Sequence, residues 1–148
     1  MHIVNAHIVD VLNGEVTRNS SVEINSQGVI TGVGVLSPIG GMSESEVIDL
    51  EGRYLFPGLI SCHTHLSVVF PFSLTDPQED PAVTAFRAAQ RAREALMSGI
   101  TTIRCVHEQN QVDLALRNAA RAGWFQGPRI FGAGRALATP NGHGKGSA

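Results

Sequence analysis

His63 and His65 stand one residue apart and close an apolar run, Leu59-Ile60-Ser61-Cys62-His63-Thr64-His65-Leu66. Side chains alternate along a β-strand, so residues two apart share a face, about 7 Å apart by strand rise. Two imidazoles placed this way can converge on one ion, and imidazole is a common ligand of zinc and related divalent metals. The tripeptide alone leaves a second reading open, in which the rings are packed and hydrogen-bonded without metal. Further groups of suitable type follow later apolar runs. Cys105, His107 and Glu108 come after one, and His143 lies in Pro140-Asn141-Gly142-His143-Gly144-Lys145-Gly146. Their neighbours point His107 and Glu108 to a solvated loop and His143 to a flexible tail.

The elements that must position these residues are legible from periodicity. Pro57-Gly58 launches the strand Leu59 to Leu66, and a proline-rich loop, Phe70 to Asp80, follows. A helix is predicted over 82–96, with Asp80 as N-cap and Pro81 at the first position. Phe86, Ala89, Ala92 and Leu96 mark its expected buried stripe, and Gly99 is placed to end it. Ile100 to Val106 is dense in β-branched residues and reads as a second strand. A second helix, Val112 to Ala122, ends at Gly123, and Arg129 to Ala133 reads as a third strand. Strand, helix, strand, helix, strand implies parallel pairing with right-handed crossovers.

Residues 2–56 read differently. His2 to Val9, Ser21 to Asn25, Val29 to Val33, Val47 to Leu50 and Arg53 to Phe56 are short β-rich segments. Asn13-Gly14 and Ser26-Gln27-Gly28 are turn signals, Glu51-Gly52 separates the last two strands, and Pro38-Ile39-Gly40-Gly41 reads as a loop. This spacing predicts a small β-sandwich over residues 1–56, followed by an α/β segment over 57–148.

The stretch Val47-Ile48-Asp49-Leu50-Glu51-Gly52-Arg53-Tyr54-Leu55-Phe56-Pro57-Gly58-Leu59-Ile60-Ser61-Cys62-His63-Thr64-His65-Leu66 resembles the opening of the metal-dependent amidohydrolase superfamily. Its members close their first barrel strand with His-x-His after a Pro-Gly-Leu-Ile-like stretch. Ala95 to Arg104 looks like the second βα unit of that family, Gly127 to Arg135 like its third strand, and Gly142-His143-Gly144 like the glycine-rich loop after it. The pattern is most similar to the subgroup of imidazolonepropionases and Xaa-Pro dipeptidase-like enzymes. The resemblance implies a (β/α)8 TIM barrel behind a small β-sandwich built from both chain ends. It also implies His63 and His65 as metal ligands, one or two divalent ions (zinc the expected metal), and a site-lining role for His143. Where this chain has Arg104-Cys105, family members often carry Arg-Asp, so any hydrogen-bonding role of that Asp is not carried over.

A full barrel takes roughly 250 residues, so the stretch after Phe56 suffices for about three βα units. By the resemblance, a carbamylated Lys or a Glu after strand 4, His residues after strands 5 and 6, and an Asp after strand 8 complete the site. The sequence therefore reads as an N-terminal part of such an enzyme, with the general base expected downstream of residue 148. Alone, the chain is expected to be inactive and to fold poorly, because a third strand with an open edge exposes unpaired backbone groups.

Composition excludes several classes. The net charge of −2 gives no electrostatic footprint for nucleic acid. Arg87, Arg91 and Arg93 on the first helix read as a solvated outer face. No apolar run approaches the ~20 residues of a membrane span, and no secretory signal is evident, so a cytoplasmic protein without membrane contact is expected. Cys62 and Cys105 lie in apolar strand-like runs and read as buried free thiols. Gly142 to Ser147 fails as a P-loop because Gly146 follows Lys145, and Gly132-Ala133-Gly134 fails as a dinucleotide fingerprint because Leu137 takes the third glycine position. The expected partner is a small-molecule substrate, with a homo-oligomer left open. The expected activity is metal-dependent hydrolysis of an amide, cyclic amide or dipeptide C–N bond. A heterocycle deaminase and a non-catalytic barrel relative serving as an assembly module are the alternatives.

Overall fold

The computed structural model describes residues 1–35 and 46–139. The chain divides into two compact units, Met1–Pro57 and Gly58–Ala148. The Pro38–Gly41 loop and His143 lie outside the described residues.

The first unit is a five-stranded mixed sheet. Strand β1 (His2–Val9) pairs antiparallel with β2 (Val16–Ile24), which pairs antiparallel with β3 (Ile30–Gly34). On its other edge β1 takes two short parallel strands in succession, β4 (Val47–Asp49) and β5 (Tyr54–Leu55). Glu51 and Gly52, both at positive φ, turn the chain between them. Asn5, also at positive φ, interrupts β1 at the matching point; its carbonyl accepts from the Gly52 amide at 2.7 Å and its Nδ2 donates to Asp49 at 2.9 Å. Among the described residues the unit is this one sheet, whereas the strand spacing had predicted two layers.

The second unit is built on three parallel strands in the order β6 (Leu59–Thr64), β7 (Ile100–Cys105), β8 (Arg129–Phe131). Helix α1 (Pro81–Met97) connects β6 to β7, and α2 (Val112–Arg121) connects β7 to β8. Asp80 caps α1, its Oδ1 accepting from the Ala82 amide at 2.7 Å, and Pro81 fills the first position, where no amide partner is needed. The chain leaves α1 through Gly99 at φ +88°, a conformation other residues adopt with strain.

The core lies between helices and sheet and comprises Leu66, Ala88, Ala92, Ile103, Cys105, Val112, Leu116 and Ile130. Alanines at 88 and 92, one turn apart, let α1 sit close over the strands. The expected buried stripe on α1 needs correction. Thr84, Ala88 and Ala92 are buried, and Phe86 is 77% exposed. The stripe runs at i, i+4, i+8 through small residues; of the expected positions Ala92 lies in it and Ala89 packs beside it, whereas Phe86 points away. Gly58 opens β6 so close to β7 that an added Cβ would lie 2.1 Å from Thr101 Oγ1. No helix among the described residues is long and apolar enough to cross a membrane.

Candidate metal centre at the strand ends

β6 delivers His63 within its last turn of pleat, and His65 follows one residue after the strand ends. The pairing with β7 shifts register here: Ser61 faces Ile103, but Thr64 faces Cys105. β6 thus carries one extra residue, a bulge, which bends the strand and re-aims its side chains. Ser61 Oγ lies 2.9 Å from Thr64 Oγ1 across the bulge.

The two histidine rings meet at that point. Their Nε2 atoms are 3.3 Å apart, with ring planes inclined at 70°. Both residues are exposed. His65 Nδ1 lies 3.0 Å from the carbonyl oxygen of His107. A carbonyl only accepts, so this contact places the proton on Nδ1 and leaves the Nε2 lone pair facing His63.

The pair fits a shared ion. Two nitrogens each about 2.0–2.1 Å from one tetrahedral ion lie about 3.3–3.4 Å apart. Metal-bound histidines usually donate their other ring N–H to a carbonyl or carboxylate, as His65 does here. In the metal-free protein the same spacing accommodates an N–H···N hydrogen bond from His63 to His65. Among the described residues, no group of three or more His, Cys, Asp or Glu side chains clusters closely enough to hold a metal.

The other candidates from the sequence are placed elsewhere. Cys105 is fully buried in the core, and burial, with the Glu108 and Asp113 carboxylates nearby, pushes its thiol far above the ordinary range. It is neither a ligand nor a nucleophile in this state. Cys62, expected to be buried, is exposed; both cysteines are free. His107 is half-buried, and its Nδ1 accepts from the Ala136 amide at 3.0 Å.

Glu108 overturns the expectation of a solvated loop. It is fully buried, and its carboxylate accepts from the amides of Leu66 and Ser67, each at 2.6 Å, and from Ser67 Oγ. The Ser67 hydroxyl oxygen in turn accepts from the Gln109 amide at 2.9 Å. Asp113, also fully buried, accepts from the Gly134 amide at 2.9 Å, and the Gly134 carbonyl accepts from the Glu108 amide at 2.9 Å. These contacts tie the segments after β6, β7 and β8 together. Sequence reasoning misplaced Glu108 and did not single out Asp113, because a carboxylate that serves buried backbone amides looks, in a sequence, like any loop carboxylate. Arg87 and Arg91 are likewise not a solvated face. Arg87 pairs with Glu79, and Arg91 donates to the carbonyls of Leu66 and Val68.

Comparison with known proteins follows the same segment. Residues 54–148 match the sequence profile described as "Amidohydrolase family". An adenine deaminase of Dehalococcoides mccartyi is 39% identical over 64 residues, which is 43% of this chain and 10% of that protein. An imidazolonepropionase of Bacillus mycoides is 43% identical over 51 residues, 34% of this chain and 12% of that protein. The crystal structure of a Xaa-Pro dipeptidase with bound methionine in the active site superposes with a TM-score of 0.83 at 28% identity, covering 97% of this chain and 35% of that one. The chain thus spans about a third of the length of that structural relative, and the matched segments span much less of the two sequence relatives.

Proposed function

Because the chain belongs to the amidohydrolase family, we propose that the protein is a metal-dependent hydrolase of carbon–nitrogen bonds in small amides, cyclic amides or dipeptides. In this reading Gly58–Ala148 supplies the first βα units of a (β/α)8 barrel, and Met1–Pro57 part of the β-domain that accompanies it. His63 and His65 hold a divalent ion, with zinc the expected metal because imidazole is one of its usual ligands. The observation that carries the reading is the approach of the two Nε2 atoms to 3.3 Å, with His65 Nδ1 engaged by the His107 carbonyl.

A divalent ion held there supplies Lewis acidity, polarising a scissile carbonyl and acidifying water for attack. The chain's own residues prepare for this. The His107 carbonyl keeps the His65 proton on Nδ1, so Nε2 offers its lone pair. Glu108 is occupied by three donors, so the proposal assigns the general base to a carboxylate outside residues 1–148. A second reading, deamination of a heterocycle, is favoured by the 39% identity to an adenine deaminase.

Incubating zinc and the purified protein, in a form that includes the general base assigned outside residues 1–148, with dipeptides, N-acyl amino acids, cyclic amides and adenine tests the proposal, with released amine and ammonia assayed separately. Amine release that chelation abolishes and zinc restores is expected. His63→Ala or His65→Ala should lower it by more than the roughly 100-fold that outer-shell substitutions reach. Ammonia release from adenine would select the second reading. Turnover that survives both chelation and the two substitutions would contradict either one.

A further inference from the structure

We propose that Glu108 and His107 act as positioning residues for His65, gripping the segment 65–67 so that His65 Nε2 is presented to the metal. The inference rests on the reading of His63 and His65 as ligands. His65 lies beyond the last residue of β6, so the strand ladder does not hold it. Its position depends on what grips the chain immediately after it. The next two amides, of Leu66 and Ser67, both donate to the Glu108 carboxylate at 2.6 Å. The Ser67 hydroxyl adds a third donor to the same carboxylate. All three residues of this clamp are buried, so the bonds are shielded from water.

The residue before Glu108 completes the arrangement. The His107 carbonyl, one peptide away from the clamp, meets His65 Nδ1 at 3.0 Å. The Glu108 amide is held by the Gly134 carbonyl at 2.9 Å, and His107 Nδ1 receives the Ala136 amide at 3.0 Å. Both halves of the grip are therefore anchored to the segment that follows β8. If the Glu108 carboxylate were lost, two adjacent buried amides would lose their acceptor. The chain at 66–67 would shift away from 107–108, and the Nδ1 contact would loosen with it. His65 would then sample both tautomers, and only one of them leaves Nε2 free to bind.

Cobalt(II) titration of the metal-stripped protein, alongside nitrogen-15 detection of the His65 ring without metal, tests the proposal. The variants are Glu108→Gln, Ser67→Ala, His63→Ala and Leu116→Ala. Ser67→Ala removes a single donor and keeps the test open should Glu108→Gln fail to fold. Leu116→Ala, a core truncation on α2, serves as a destabilised control that does not touch the grip. The expected result is a His65 ring protonated at Nδ1 in the wild type and in Leu116→Ala, and a mixed tautomer in Glu108→Gln and Ser67→Ala. Cobalt affinity should fall about 10-fold or more in Glu108→Gln, by less in Ser67→Ala, and stay near wild type in Leu116→Ala. Equal affinity in Glu108→Gln and the wild type, with binding lost in His63→Ala, would overturn the positioning role and leave the metal reading intact. Unchanged cobalt binding in His63→Ala would overturn the metal reading. In that case the ring signals decide: an Nδ1 proton lost only in the clamp variants supports the grip, and the same tautomer throughout overturns it.

Discussion

Arg91 Nη1 donates to the carbonyl oxygen of Leu66 at 2.9 Å, so the middle of α1 holds the residue that follows His65. The same nitrogen reaches the Val68 carbonyl. Lysine cannot reproduce a planar donor shared between two carbonyls. Arg91→Met should leave two half-buried carbonyls without their partner and cost about 1–3 kcal/mol, with Arg91→Lys recovering part of it. Urea unfolding of the three proteins measures this. A stability change within error for Arg91→Met would show that water replaces the guanidinium freely.

The Glu79–Arg87 pair predicts an acid-side loss of stability. The Arg87 guanidinium, then the Thr84 hydroxyl, hold the Glu79 carboxyl below the ordinary glutamate value of about 4.3. A carboxyl depressed on folding stabilises fully above its unfolded pKa and loses that contribution as pH falls through the folded one. Wild-type stability should therefore fall from about pH 4 downward, and Glu79→Gln should fall less steeply. At neutral pH the substitution should cost about 1 kcal/mol, because both partners remain partly open to solvent. Parallel pH profiles for the two proteins would contradict the assignment.

The sequence disclosed this fold unevenly. The Asp80 cap, the Gly99 exit and the parallel order of β6, β7 and β8 all follow from local rules: a capping oxygen, a positive φ and β-branched runs separated by helices. Alternation along a strand marked His63 and His65 as a pair, but the bulge between Ser61 and Thr64 and the end of β6 before His65 were not legible. Burial was read less well. Phe86 is exposed while Thr84 is buried, because the Thr84 hydroxyl donates to Glu79 nearby and accepts from Asn110, 26 residues away. Glu108 was assigned to solvent and Asp113 was not singled out for a related reason. Their partners are backbone amides 21 to 42 residues away, and such partners leave no mark in local sequence.

Cys105 and Cys62 should differ sharply in reactivity. Burial, then the Glu108 and Asp113 carboxylates, disfavours the Cys105 thiolate, and the thiolate is the reactive form. Under native conditions an alkylating reagent should modify Cys62 and spare Cys105, with Cys105 reacting only in denaturant. Peptide mass mapping before and after unfolding reads this directly. Native labelling of Cys105 at a rate comparable to Cys62 would mean that the core around Ile103 opens readily.

The most direct test of the metal centre is equilibrium dialysis of the chelator-stripped protein against buffered zinc. Wild type, His63→Ala, His65→Ala and the double variant are compared, with folding checked by circular dichroism. The account predicts that the wild type binds zinc, that each single variant binds more weakly by at least about 10-fold, and that the double variant binds none above background. A folded double variant that retains zinc as tightly as the wild type would contradict the assignment of His63 and His65 as ligands.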